Sequence, residues 1–244
     1  MKRADPILRL PWLDPSRPEQ DFPPVEQALT EPNGLLALGG DLSPVRLLNA
    51  YRHGIFPWYS AGEPILWWSP DPRCVFRPGS LHVSRSLRKA LSRNDYTVTL
   101  DQAFETVVRA CAAPRAGQRG TWLLPEMINA YLRLHHEGWA HSCEVWRKRE
   151  LIGGIYGLSL GRVFYGESMF SRASNGSKIA LIWLARQLTA WDFVLLDGQV
   201  GSPHLYTLGA IDLPRRSFVQ TLGTACQQPD RRGLWRFDIP VPGA

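Results

Sequence analysis

Three polar residues sit where apolar strands should run. Glu167 lies in YGESMF at 165–170, at the end of an apolar stretch, and Asp197 and Gln199 lie two apart in LLDGQV at 195–200. On a regular strand, residues two apart point to the same face. A carboxylate and an amide projecting together from the end of a buried strand could bind and orient an amine. The plainer alternative makes Asp197 a loop cap and Gln199 a partner for backbone groups. Spacing alone leaves both open.

Two further features could bind a ligand. SRASNGSKIA at 171–180 leads into a helix through Asn175, Gly176 and Ser177. Backbone N–H groups at such a start could cradle a phosphate, although an ordinary helix cap reads the same way. Trp58, Trp122 and Phe164 come from three distant segments. Such rings wall apolar pockets and stack on bases, and they equally fill cores.

These groups need elements to hold them. Ser43 and Pro44 predict a helix start, with Leu47, Leu48 and Tyr51 on one face and Gly54 at the stop. The segment 54–73 carries four prolines among Phe56, Trp58, Tyr59, Trp67 and Trp68, so it either packs under another domain or lines a site. A short basic helix is expected at 84–93, with Leu87 and Leu91 inward and Arg85, Arg88, Lys89 and Arg93 outward. Helices follow at 101–112, capped by Asp101, and at 125–137, closed by Gly138. The period then changes to two. HSCEVWR, LIGGIYGLS and RVFYGESMF read as three strands turning at Lys148–Arg149 and at Gly161. A helix near 175–190, a strand at 193–200 and a helix from Pro214 complete a mixed α/β chain. Residues 1–34, rich in proline and acidic side chains, read as irregular surface.

Composition narrows the function classes. With 244 residues and 44% hydrophobic content the chain can bury a sizeable core, so disorder as the main state is excluded. It lacks an apolar stretch of membrane-spanning length, and no signal-peptide run is present, so a cytoplasmic location without a membrane partner is expected. Cys74, Cys111, Cys143 and Cys226 have no metal-ligand spacing and read as small core residues; no metal site is expected. The net charge of +6 is uneven, with seven basic against three acidic side chains in residues 81–120. A polyanionic partner, nucleic acid first, or plain solubility charge would each explain it.

A resemblance decides among these. EPNGLLALGGDLSP at 31–44, GIFPWYS at 54–60, PILWWSPDPR at 64–73, HVSRS at 82–86, GTW at 120–122, GESMFSR at 166–172, SK at 177–178, LLDGQ at 195–199, LGA at 208–210 and PRR at 214–216 look like the bacterial leucyl/phenylalanyl-tRNA–protein transferase family. The match spans roughly residues 30–220. It implies an enzyme that moves Leu or Phe, and less readily Met, from Leu-tRNA or Phe-tRNA to the α-amine of proteins with N-terminal Arg or Lys, marking them for degradation. It also implies a small N-terminal domain, here 1–70, and at 71–244 a GCN5-related acetyltransferase-like domain with a mixed, largely antiparallel sheet. A monomer is expected. Aminoacyl-tRNA is already an activated ester, so the reaction implies no cofactor.

By that resemblance Asp197, Gln199 and Glu167 form the catalytic centre, with Asp197 orienting the amine and assisting its deprotonation, Gln199 relaying or positioning, and Glu167 attracting the cationic acceptor or ordering the network. Trp122, Phe164 and Met169 would surround the terminal adenosine and the amino-acid side chain, with Trp58 added from the N-terminal domain. Ile155 and Leu184 stand where relatives carry Met and an aromatic. Arg85, Arg88, Lys89 and Arg93 match the cluster that holds the acceptor stem. Residues 231–244 lie outside the resemblance.

Overall fold

A computed structural model describes residues 10–93, 95–114 and 123–242. The N-terminal part forms a four-stranded sheet from β1 (Trp12–Leu13), β2 (Leu35–Gly39), β3 (Phe56–Pro57) and β4 (Leu66–Trp68), ordered β1-β2-β4-β3. Between β2 and β3 runs α1 (Pro44–Arg52), started as predicted by the Ser43 side chain, which accepts from the Arg46 N–H. Residues 10–34 contribute more than surface. Leu13, Val25 and Ala28 are buried in the core, and β1 pairs in parallel with β2.

The remainder builds a seven-stranded sheet. Its elements in chain order are β5 (Arg73–Phe76), α2 (Arg85–Leu91), β6 (Thr97–Leu100), α3 (Phe104–Ala112), α4 (Pro125–His136), β7 (Ala140–Arg147), β8 (Glu150–Leu160), β9 (Val163–Ser171), α5 (Gly176–Ala190), β10 (Leu195–Gln199), α6 (Pro203–Thr207), β11 (Ile211–Leu213) and α7 (Arg215–Ala225). The strand order is β11-β5-β10-β9-β8-β7-β6. Among the described residues of this sheet only the β9–β10 pairing is parallel; the other pairings are antiparallel. The sheet is therefore mixed and largely antiparallel, as expected. The predicted meander is β7-β8-β9, turning through Lys148 and Arg149, both at positive φ, and through Gly161 at φ +54°.

Both sheet faces are covered, which explains why β8 reads as an almost unbroken buried run rather than an alternating one. One core joins the N-terminal sheet and α1 to α3, α4 and α7; the other lies beneath α2 and α5. Helix α5 approaches β8 at a pair of glycines: a side-chain carbon on Gly153 would stand 2.3 Å from the Gly176 backbone. Only glycine permits that approach.

The expected cap of α3 needs correction. Asp101 does not cap α3, whose N-cap position is Ala103. Its buried carboxylate instead accepts the N–H groups of Ser142 at 2.8 Å and Trp235 at 2.7 Å and meets His141 Nδ1 at 2.8 Å. The C-terminal stretch, which lies outside the resemblance, joins the core. Trp235 is buried and stacks on the His141 ring with centroids 3.7 Å apart. Burial holds the His141 pKa below its ordinary value, which favours the neutral ring under that stack. Trp235→Ala should therefore cost about 3–5 kcal/mol, as for other buried tryptophans. An unchanged denaturant midpoint would show that Trp235 contributes nothing to the core.

Candidate active site

The site forms where β10, a central strand of the large sheet, meets the N-terminal sheet. Regular alternation fails at its end. Pairing of β10 with β5 shifts register between Asp197 and Gln199, and Gln199 adopts φ +60°. A non-glycine residue in that region stores of order 1–3 kcal/mol of strain, held only by its surroundings. Here the hold is explicit: Asp197 Oδ1 accepts the Gln199 N–H at 2.9 Å. The two side chains then part company. Asp197 turns into the protein, while Gln199 donates through Nε2 to Glu167 Oε1 at 2.8 Å.

Asp197 is fully buried and engaged on both oxygens. Arg73 Nε donates to Oδ1 at 2.8 Å and Nη2 to Oδ2 at 2.6 Å, and Nη1 reaches the Gly54 carbonyl at 2.9 Å. The guanidinium lies between the rings of Phe56 and Phe218, 4.7 Å from each centroid. Asp197 is expected to orient the amine and assist its deprotonation; this placement leaves it out of the cleft lining, so such a role is indirect. Its lone pairs are committed to a buried cation, and its influence on the cleft runs through Gln199. Arg73 is a site residue that sequence reasoning misses. Its one signal is its place at the end of PILWWSPDPR, since nothing in spacing pairs residue 73 with 197.

Glu167 lies on β9 and is 9% exposed. It accepts from Tyr51 Oη at 2.7 Å and Tyr131 Oη at 2.6 Å as well as from Gln199. Burial drives its pKa up to about 7, against the lowering effect of the two tyrosine hydroxyls. Tyr51 reads in the sequence as a helix-face residue beside Leu47 and Leu48, and Tyr131 falls within the helix expected at 125–137. Only a general rule hints at a polar contact: a buried phenol needs a polar partner.

A cleft of roughly 180 Å³ opens onto this cluster, lined by Phe56, Pro57, Trp58, Glu167, Gly198, Gln199 and Val200. Trp58 is 45% exposed, unusual for so large a ring. Trp67 and Tyr59 of the same segment are buried, so the aromatic loop both packs and lines a site. Ile155, Phe164 and Leu184 belong to one buried cluster, against which half-buried Met169 packs, with Ile155 and Met169 cross-strand partners. Phe164 is wholly enclosed and Met169 is the member that reaches a second cleft, of about 490 Å³, shared with Pro114, Phe170, Arg172, Ser177 and His204. Trp122 lies outside the described residues.

At the start of α5 the possible phosphate cradle is already occupied. The Ser177 N–H donates to Ser171 Oγ at 2.8 Å, Gly176 N–H goes to the Ala173 carbonyl, and Ser177 and Gly176 are buried. The cap is not an ordinary one either: Asn175 at the N-cap lies at φ +67° without a side-chain cap bond, and Ser171 supplies the acceptor from the end of β9. On α2 and just beyond it, Arg85, Arg88, Lys89 and Arg93 are all exposed, and among the described residues none of them forms an ion pair.

Residues 75–223 match the family described as leucyl/phenylalanyl-tRNA protein transferase, and 40–71 match that family's N-terminal domain. A protein of Alkalilimnicola ehrlichii named leucyl/phenylalanyl-tRNA–protein transferase is 58% identical over 95% of this chain and 90% of its own length. The chain belongs to the leucyl/phenylalanyl-tRNA–protein transferase family. A member from Cellvibrio japonicus is also 58% identical, over 90% of this chain and 93% of its own. Among solved structures, a GCN5-related N-acetyltransferase from Kribbella flavida covers 70% of this chain and 61% of its own, with 13% identity and a TM-score of 0.35. The polar cluster draws on both matched parts of the transferase: Tyr51 and Trp58 lie in the first, Tyr131, Glu167, Asp197 and Gln199 in the second, and Arg73 in the short gap between them.

Proposed function

We propose that this chain transfers Leu or Phe, and less readily Met, from aminoacyl-tRNA to the α-amine of proteins with N-terminal Arg or Lys, and that the modified proteins are thereby marked for degradation. The observation that carries the reading is the cleft whose floor is the Gln199–Glu167 pair and whose wall is the exposed Trp58. Gln199 spends its amide N–H on Glu167, which leaves its carbonyl oxygen as the acceptor for an amine N–H. An α-amine held there is neutral when it attacks the ester carbonyl, and fixing the two reactants in one geometry supplies much of the acceleration. Trp58 stacks the terminal adenosine. Met169, packed on the buried cluster of Ile155, Phe164 and Leu184, borders the transferred side chain from the second cleft. An apolar pocket discriminates by only about 1–3 kcal/mol per methylene, so some transfer of Met is expected.

In this reading Asp197 positions rather than reacts. Its ion pair with Arg73 locks the left-handed turn that aims Gln199. The exposed basic face of α2 holds tRNA phosphates without reading bases, so several Leu and Phe tRNAs are accepted.

The deciding experiment supplies labelled Leu-tRNA and two acceptors that differ only in beginning with Arg or Ala. Label should appear on the Arg acceptor alone. Binding of Leu-tRNA with no label on either acceptor would instead make the chain a tRNA-binding module. A coenzyme-A-dependent acetyltransferase is disfavoured by the occupied α5 terminus, and saturable acetyl-CoA binding would revive it.

A further inference from the structure

Around Glu167 three oxygens form a closed triangle. Tyr51 Oη and Tyr131 Oη each touch the carboxylate, at 2.7 and 2.6 Å, and they stand 3.0 Å from each other. Both phenols are fully buried. An ionised carboxylate can only accept. The two phenolic protons then serve the two tyrosine–glutamate contacts, and the tyrosine–tyrosine contact has oxygens but no proton. One added proton removes the deficit. With Glu167 protonated on Oε1, that proton goes to Tyr51, the Tyr51 proton to Tyr131, and the Tyr131 proton to Oε2. Every contact is then a hydrogen bond, and no heavy atom has moved. Gln199 Nε2 keeps its acceptor on Oε1 throughout.

The surrounding groups favour the same seat. Arg73 on β5 faces the cluster but is neutralised by Asp197 on β10, whose oxygens are both committed to it. Tyr156 on β8 packs edge-on against Tyr131 with centroids 5.3 Å apart. Tyr51 on α1 and Tyr131 on α4 complete the titratable shell. Glu167 alone of these carboxylates lines the cleft.

We propose that Glu167 accepts the proton released by the attacking amine, and that Tyr51 and Tyr131 are positioning residues that close a hydrogen-bonded ring around it. The inference rests on the transfer reaction proposed above. The acceptor's α-ammonium gives one proton to Glu167, which frees the nitrogen lone pair. That pair forms the C–N bond at the ester carbonyl. The ester C–O bond breaks, and the departing ribose oxygen takes a second proton from the nitrogen. Glu167 then returns its proton to water through the cleft, so the net reaction releases one proton, as amide formation from an ammonium requires.

The test combines infrared titration with single-turnover transfer. In the wild type a carboxylic-acid C=O band should grow in as the pH falls through about 7, and the transfer rate should fall over the same range. Glu167→Gln should lose that band and about 10²-fold in rate, with aminoacyl-tRNA binding retained. Tyr51→Phe and Tyr131→Phe should each slow transfer about three- to tenfold at unchanged KM. Because either change opens the ring, the double variant should be no more than about twofold slower than the worse single variant. Losses that multiply in the double variant would overturn the ring. A wild type that transfers leucine while showing no titrating carboxyl band overturns this inference alone, and the band needs no variant to fold. A wild type that transfers nothing overturns the reading beneath it as well.

Discussion

Asp197→Ala should unfold the protein more readily by about 3–5 kcal/mol, because it leaves the buried Arg73 guanidinium without its counter-charge. Both side chains are at most 1% exposed, so water cannot replace the missing carboxylate. Transfer should fall at least about tenfold in the fraction that remains folded, since Gln199 then lacks the acceptor that fixes its backbone. The double variant Arg73→Met with Asp197→Leu separates the two effects. Buried ion pairs replaced by apolar residues of similar volume often keep or gain stability. The double variant should therefore recover most of the denaturant midpoint and none of the activity. Normal single-turnover transfer by that double variant would remove both residues from the site.

Reversing the charges of Arg85, Arg88, Lys89 and Arg93 in pairs should raise the apparent KM for aminoacyl-tRNA and flatten its dependence on salt. A cation bound to a phosphate displaces condensed counterions, so each cation removed from the tRNA surface should reduce the log–log slope by about 0.7–0.9. All four side chains are exposed, which makes loss of fold an unsuitable explanation for such a change. A short aminoacyl-adenosine donor should be used almost normally by the same variants, because it does not reach α2. Equal depression of both donors would point to a damaged fold, and no change with either donor would end the assignment of this surface to tRNA.

Much of the fold is legible because local rules agree with it. Ser43 before Pro44, Gly138 after α4 and the period-two runs between 140 and 171 each place an element where it is found. The failures share one origin. Asp101 sits in a cap-like position but is claimed by Ser142, His141 and Trp235. Residues 10–34 and 231–242 carry no strong periodicity, yet Leu13, Val25 and Trp235 are core residues. In each case distant partners override a local preference, and no window of sequence contains both halves of such an interaction.

The site divides in the same way. The sequence by itself marked which residues could carry chemistry: Glu167, Asp197 and Gln199 stand out as polar groups in apolar strands, and the ordered motifs place the chain in one family. It also determined the basic face of α2, since the 84–93 periodicity turns the cations outward. Only the tertiary structure decided how the three polar residues divide their work. A register shift in β10 separates the side chains of Asp197 and Gln199, which simple alternation would have aligned. Arg73, 124 positions away in the chain, claims one of them. Tyr51 and Tyr131, 116 and 36 positions from Glu167, set the environment of the other partner. Hydrogen bonds and ion pairs act over about 3 Å in space and are indifferent to separation along the chain. Residue type therefore announces what a group could do, and folding settles which group faces the cleft.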